Sequence, residues 1–566
     1  MTLDLIVDGG LVYDGLGRPA VEADLGIKNG RVTEVGRLKG RTAARRLDAS
    51  GLATAPGFID THAHSDLSVI VNPVAESQVA QGVTTEVFGH CGMSPYPLSD
   101  RSAKHIFHWI REGTPGRPPF DWSSAAEYFA KVRRQGLGLN LVPLAGHVTA
   151  RADVVGDEDR PLTAEETAQL LARMEEGFAA GCRGMTSGLF YPPTTSADAA
   201  ELTACAKLMR RFPGAVVYTA HVRDQDEGIE ASVNELLTVG RAAGVAVHVS
   251  HLGVGWRANH GKGARVVEQL TRLRGEGLPV TADTLPYPNK GPFWAPRVVL
   301  PESLYDFRRP WRQQAIALQL RLADPLWAEE LTARLEREPV TETARQWGAR
   351  PEEIWEAIVI DGAATEWGRG LVGLTMAAAA SRLRGRIGAD GAGRPPTPAR
   401  LFVELLRREG PDLSAVIIST SPEDERAILT CPFISFGTDS TATRVEDVGS
   451  PLELMQAHPR MFGTFPRVLG FYAREQGLLS LPEAVRRMTS LPASIFGLEN
   501  RGVIRPGAWA DLVVFNPDTI CEVGTFLQPR AYPKGLRAVV VNGIPVFEDG
   551  RFSGELPGRL LTSDVE

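Results

Sequence analysis

The stretch Pro56-Gly57-Phe58-Ile59-Asp60-Thr61-His62-Ala63-His64 decides how the chain is read. Phe58 and Ile59 begin it as a short buried strand would. Side chains on a strand alternate between faces, so His62 and His64, two residues apart, turn their rings to one side. Further strand-like runs follow at Thr85–Gly89, Leu139–Gly146, Gly184–Ser187, Val216–His221, Val245–His251, Val280–Thr284 and Ile434–Asp439. Helical patterns separate them. The clearest follows Thr163-Ala164-Glu165-Glu166, where Thr163 is an N-cap and Glu166 reaches back to it. Leu170, Leu171, Met174 and Phe178 then share a face, and Gly181 supplies the stop.

Strands alternating with helices predict parallel βα units. Together with Ile59–His64 the runs number about eight, as a closed (β/α)₈ barrel needs, and chemistry then gathers at the strand C-termini. The expected fold is therefore α/β, a TIM barrel over residues 57–499. Residues 290–430 exceed an ordinary βα connection and read as an insertion near the barrel mouth. The chain ends differ from this middle. Leu3, Leu5 and Val7 alternate with polar residues, and Asn29-Gly30 and Asn542-Gly543 are hairpin signals because both central positions need positive φ. Residues 1–56 and 500–566 are expected to meet as a small β-sandwich domain.

Bulk properties exclude several roles. The chain has 566 residues, 43% of them hydrophobic, with 61 basic and 68 acidic side chains and a net charge of -7. No basic tract offers a surface for nucleic acid or anionic membrane. No apolar run approaches the roughly 20 residues that span a bilayer. Asp4 and Asp8 stand where a signal peptide would be apolar. Five cysteines, an odd number, fit reduced thiols in the cytoplasm.

Metal-ligand residue types recur where the strands end. After His62 and His64 come Cys91 in Gly89-His90-Cys91-Gly92, His221, His251 and Asp439. Thiolate with imidazole suits zinc, and an aspartate serves as ligand, base or both. A metal acidifies its water, and a nearby carboxylate takes the proton as that water attacks a carbonyl. Any one of these residues alone is more often structural, but their arrival in barrel order points to a metal site. Cys182, Cys205, Cys431 and Cys521 read as small hydrophobes. His90, His105, His108, His248, His260 and His458 read as surface residues or as residues behind the ligands.

The chain resembles the N-acyl-D-amino-acid deacylases (D-aminoacylases) of the amidohydrolase superfamily. The His-x-His run carries the superfamily. Gly188-Leu189-Phe190-Tyr191-Pro192-Pro193 and His458-Pro459-Arg460 also match, and Gly89-His90-Cys91-Gly92 and Gly463-Thr464-Phe465-Pro466-Arg467 are much more specific to the branch. The resemblance implies a tight Zn2+ held by Cys91, His221 and His251, and a weaker or optional second metal position at His62 and His64. It implies Asp439 as general base and then acid. Many relatives use a carboxylated lysine on the fourth strand; Gly184-Met185-Thr186-Ser187 has none, in keeping with the branch where cysteine bridges. Tyr191, Tyr287 and Arg460, with Arg223 beside His221, match positions that bind substrate. The implied reaction is hydrolysis of a linear amide in a small N-acyl amino acid by metal-activated water. A cyclic amide hydrolase of hydantoinase type and a non-catalytic ligand-binding barrel are the alternatives.

Overall fold

Eight short strands lie side by side in the order in which the chain makes them. They are β1 (Phe58–Asp60), β2 (Val83–Phe88), β3 (Asn140–Pro143, continued by Ala145–Gly146), β4 (Gly184–Gly188), β5 (Val217–His221), β6 (Ala246–Val249), β7 (Val280–Thr284) and β8 (Ile434–Phe436). The computed structural model describes residues 2–103, 120–288, 295–301, 303–305, 311–346, 349–384, 396–446, 458–526 and 528–563. His105, His108 and the glycine-rich 391–394 lie outside them.

β1, β2 and β3 pair in parallel, and the continuation of β3 begins a six-stranded parallel sheet that runs to β8. The ring closes just beyond the strand ends through a parallel bridge between Ala63 and Ser440. There the His64 N–H donates to the Ser440 carbonyl at 2.8 Å and the Asp439 N–H to the His62 carbonyl at 2.7 Å. Every residue of β2, β4 and β5 is buried, as strands covered on both faces must be. The barrel expected from the sequence is the one observed.

The outer helices follow their local signals. Thr163 Oγ1 accepts from Glu166 N–H, and the Glu166 carboxylate accepts from Thr163 N–H, so the helix Ala164–Ala179 opens on a capping box. Its Leu170, Met174 and Phe178 are buried. Leu171 packs only partly.

Both chain ends share one nine-stranded sheet, joined where Ala53–Pro56 pairs antiparallel with Leu512–Phe515. Its turns use the expected left-handed residues, Asn29 (φ 51°) with Gly30 (φ 75°) and Asn542 (φ 48°) with Gly543 (φ 83°). The period-2 pattern sorts the faces. Leu512, Val514, Ala538 and Val540 pack with Leu5, Val7 and Leu25, whereas Val513, Phe515, Val539 and Val541 join the core of the barrel.

Between β7 and β8 the chain builds helices and a two-stranded antiparallel sheet, Ile358–Gly362 with Ser414–Ile417. This segment has its own apolar core, in which Trp256, from the loop after β6, is embedded. The same loop is tied down by Arg257 N–H to Glu353 (3.0 Å) and Gly261 N–H to Asp424 (2.8 Å). The segment therefore rests on the C-terminal side of β6.

Candidate metal centre

The end of β1 is clamped before its histidines are placed. Asp60 is fully buried; its Oδ1 accepts from His62 N–H (3.1 Å) and Thr438 N–H (3.0 Å), and its Oδ2 accepts from the Thr438 hydroxyl (2.6 Å). A Cβ on Gly437 would fall 2.7 Å from His62 Cβ, so β8 can approach only with glycine there. Cys91 (φ 55°), His251 (φ 35°) and Asp439 (φ 46°) all sit in the left-handed region that side chains other than glycine rarely adopt. Such strain concentrates at functional sites, where surrounding structure holds it.

These constraints bring the six expected residues together. Cys91 Sγ lies 3.5 Å from His62 Nε2, 3.6 Å from His221 Nδ1 and 3.4 Å from His251 Nε2. Zinc bonds of about 2.3 Å to sulfur and about 2.0–2.1 Å to nitrogen, set tetrahedrally, separate the donor atoms by roughly 3.6 Å. The donors therefore fit such an ion. Two trios meet at the cysteine: His62, His64 and Cys91, and Cys91, His221 and His251, each with ligand atoms within 4.8 Å of one another. Asp439 Oδ1 is 3.1 Å from His64 Nε2 and 3.7 Å from His62 Nε2, and its Oδ2 accepts from Arg460 Nη1 at 2.9 Å.

Electrostatics suit the same reading. Burial pushes the Cys91 thiol well up, and the carboxylates of Asp439, Asp283 and Asp66 push it further, so its ionisation depends on the arrival of a cation. Burial and neighbouring histidines hold His221 well below its usual value and His251 at about 4, so both are neutral and able to ligate. Burial works against charge on His64, but Asp439 and Asp66 outweigh it and lift that group. Burial would likewise raise Asp439, yet Arg460 and His64, with His62 and His251, hold it well below the carboxylate range.

The substrate-side candidates separate. Tyr191 stands at the cluster, its hydroxyl 3.4 Å from His221 Nδ1. Arg460 is buried against Asp439. Tyr287 instead gives its hydroxyl to Glu522 (2.6 Å), with Arg467 4.8 Å over its ring. The Arg223 guanidinium pairs with Glu235 (2.8 Å) and donates to the carbonyls of Thr195 and Ala197. A guanidinium so engaged braces two loops.

The histidines read as surface residues or as residues behind the ligands divide, and two further residues, Gln225 and Asp283, stand behind the ligands without having been named from the sequence. His90 and His248 are buried, whereas His260 is exposed. The His90 ring stacks 4.0 Å from that of His62. His458 is buried, and its Nδ1 accepts from Arg460 N–H. Gln225 contacts His251 Nδ1 at 2.7 Å, and Asp283 reaches both His248 and the His251 backbone. Asp283 lies near the end of β7, the same strand-end position that singled out Asp439, and that rule could have found it. Gln225 lies in a loop and has no such signal.

Comparison with known proteins agrees with this geometry. The Amidohydrolase family matches residues 45–316 and 445–547. N-acyl-D-glutamate deacylase of Alcaligenes xylosoxydans xylosoxydans is 32% identical over 565 residues, covering 100% of this chain and 97% of that one. A D-aminoacylase structure, studied for one-metal activation and second-metal attenuation of a binuclear centre, superposes with a TM-score of 0.72 at 28% identity, over 99% of this chain and 100% of that chain. An N-acyl-D-glutamate deacylase from Bordetella bronchiseptica, complexed with zinc and a phosphonate mimic of the tetrahedral intermediate, gives 0.71 at 30% identity over 99% and 100%.

Proposed function

Since the chain belongs to the amidohydrolase family, in its N-acyl-D-amino-acid deacylase branch, we propose that it hydrolyses the amide bond of an N-acyl-D-amino acid with zinc as its metal. The observation that carries this reading is the pair of ligand trios sharing Cys91, with the Asp439 carboxylate against His64. Cys91, His221 and His251 would hold the tighter ion, and His62 and His64, with Cys91, a weaker second one. When bound, zinc supplies Lewis-acid chemistry, acidifying water and polarising a carbonyl.

The remaining work falls to side chains. Asp439, kept ionised by Arg460, accepts a proton at its carboxylate as water attacks the acyl carbon, then returns it to the departing amine. Tyr191 and Arg460 are the groups assigned to orient the substrate. Arg223 and Tyr287 are assigned to bracing. Residues 1–56 with 500–566 are read as a small β domain beside the catalytic barrel, and the segment between β7 and β8 as a cover for its mouth. All five cysteines are free, which fits a reducing, cytoplasmic setting. Among the described residues no helix is long and apolar enough to cross a membrane.

The test is release of free amine from matched N-acyl-D- and N-acyl-L-amino acids, beside hydantoins, by zinc-loaded protein. Turnover of N-acyl-D-amino acids is expected. Hydantoin opening without any amine release from the N-acyl panel would overturn the assignment.

A further inference from the structure

We propose that Asp283 is the positioning residue of this centre: its one carboxylate fixes the ring of His62 and the backbone of His251, and so ties the two ligand trios together. This rests on the reading of the cluster as a metal centre. Asp283 is fully buried on β7. Its Oδ1 accepts from the His251 N–H at 2.8 Å. Its Oδ2 accepts from His248 Nε2 at 2.8 Å and lies 3.5 Å from His62 Nδ1. The other nitrogen of His248 is 2.7 Å from the Thr281 hydroxyl, so that ring is pinned on both sides.

Three donors thus converge on one carboxylate, the single side-chain type that only accepts. The backbone N–H of His251 needs it because φ there is 35°, a conformation that must be held from outside. His62 needs it for its proton. The Nε2 of His62 faces Cys91 at 3.5 Å, so a ligand role for Nε2 leaves the ring proton on Nδ1. That Nδ1 is buried and makes no hydrogen bond among the described residues. The Asp283 oxygen at 3.5 Å is where it points, and closing that gap by about half an ångström would complete an ordinary hydrogen bond. An outer carboxylate of this kind fixes a histidine's tautomer and typically changes metal affinity by about 10–100-fold. Gln225 serves His251 from the other side, but it touches one ligand and Asp283 touches both trios.

Asp283→Asn replaces an acceptor-only group with one that must donate on one side. The His251 N–H can only donate, so the amide oxygen must stay on it. The amide NH₂ then faces His248 and His62 and drives the His62 proton onto Nε2, the ligand atom. The experiment labels histidine rings with 15N and identifies the His62 signals by their loss in His62→Gln. In zinc-loaded wild-type protein the His62 proton is expected on Nδ1. In Asp283→Asn it is expected on Nε2, with zinc at the His62–His64 position weakened about 10–100-fold and the Cys91 thiolate-to-metal charge-transfer band of the cobalt form retained. His248→Gln, which keeps the carboxylate, is expected to hold zinc as wild type does. A proton on Nε2 in loaded wild-type protein would overturn the proposal. So would unchanged zinc affinity in a folded Asp283→Asn, or an equal loss in His248→Gln, which would assign the effect to packing beneath the site. Should Asp283→Asn fail to fold, the wild-type spectrum alone decides. Wild-type protein that binds no zinc would instead refute the metal reading on which this inference stands.

Discussion

The two ligand groups that meet at Cys91 are held in different ways. His221 and His251 are buried and kept neutral, and His251 carries strained backbone and a neutral amide partner, Gln225. His62 and His64 extend β1 beyond its clamped end, the His64 side chain is 19% exposed, and Asp439 lifts the proton affinity of that ring. A proton on an imidazole competes with a cation for the same lone pair. The first group is therefore a ready set of neutral donors around a thiol, whereas at His64 a proton competes more strongly with a cation. The two trios are built from the same residue types, yet their surroundings act in opposite directions on the proton affinity of His64 and of His221 and His251.

Removing the cysteine that the two groups share should have the largest effect. Cys91→Ala is expected to lose stoichiometric zinc at both positions and to lower kcat/KM by at least about 10³-fold, as metal analysis and amine release will measure. Asp439→Asn separates proton transfer from metal binding: turnover falls about 10²–10⁴-fold while one zinc remains. Full turnover in that variant would exclude Asp439 as the base. Replacing His62 and His64 together with Ala should cost activity while the ion on Cys91, His221 and His251 stays bound.

Acid should sharpen the contrast without mutation. The group raised above its ordinary value is His64, so as pH falls it protonates first, and the second metal is lost before the first. Because burial keeps the Cys91 thiol protonated, the first zinc to bind should release a proton. Calorimetry in buffers of different ionisation enthalpy reads that proton; equal heats in all of them would argue against it. The smallest effect is expected from Arg223→Ala. It should cost about 1 kcal/mol of stability, since its ion pair with Glu235 is partly exposed, and leave KM nearly unchanged. A large rise in KM would restore Arg223 to the substrate.

Strand ends were legible because a barrel repeats one rule: apolar run, then polar residue at its C-terminus. That rule exposed His221, His251 and Asp439 without any knowledge of pairing. The Asn-Gly turns and the Thr163 capping box were legible because each is settled within four residues. What stayed hidden depends on distant partners. Tyr287 meets Glu522 across 235 positions, and nothing near either residue announces the other. Arg223 looked available because its neighbours in sequence do not include Glu235, 12 positions away on the next helix. The segment between β7 and β8 announced its helices but not its own core, because that core depends on how those helices pack.

The most direct test follows amine release while zinc is titrated into metal-free protein. Metal-free protein is expected to show no turnover, and activity should rise to its full value with the first equivalent, bound by Cys91, His221 and His251. Full activity in metal-free protein, or activity that begins only with the second equivalent, would contradict that expectation.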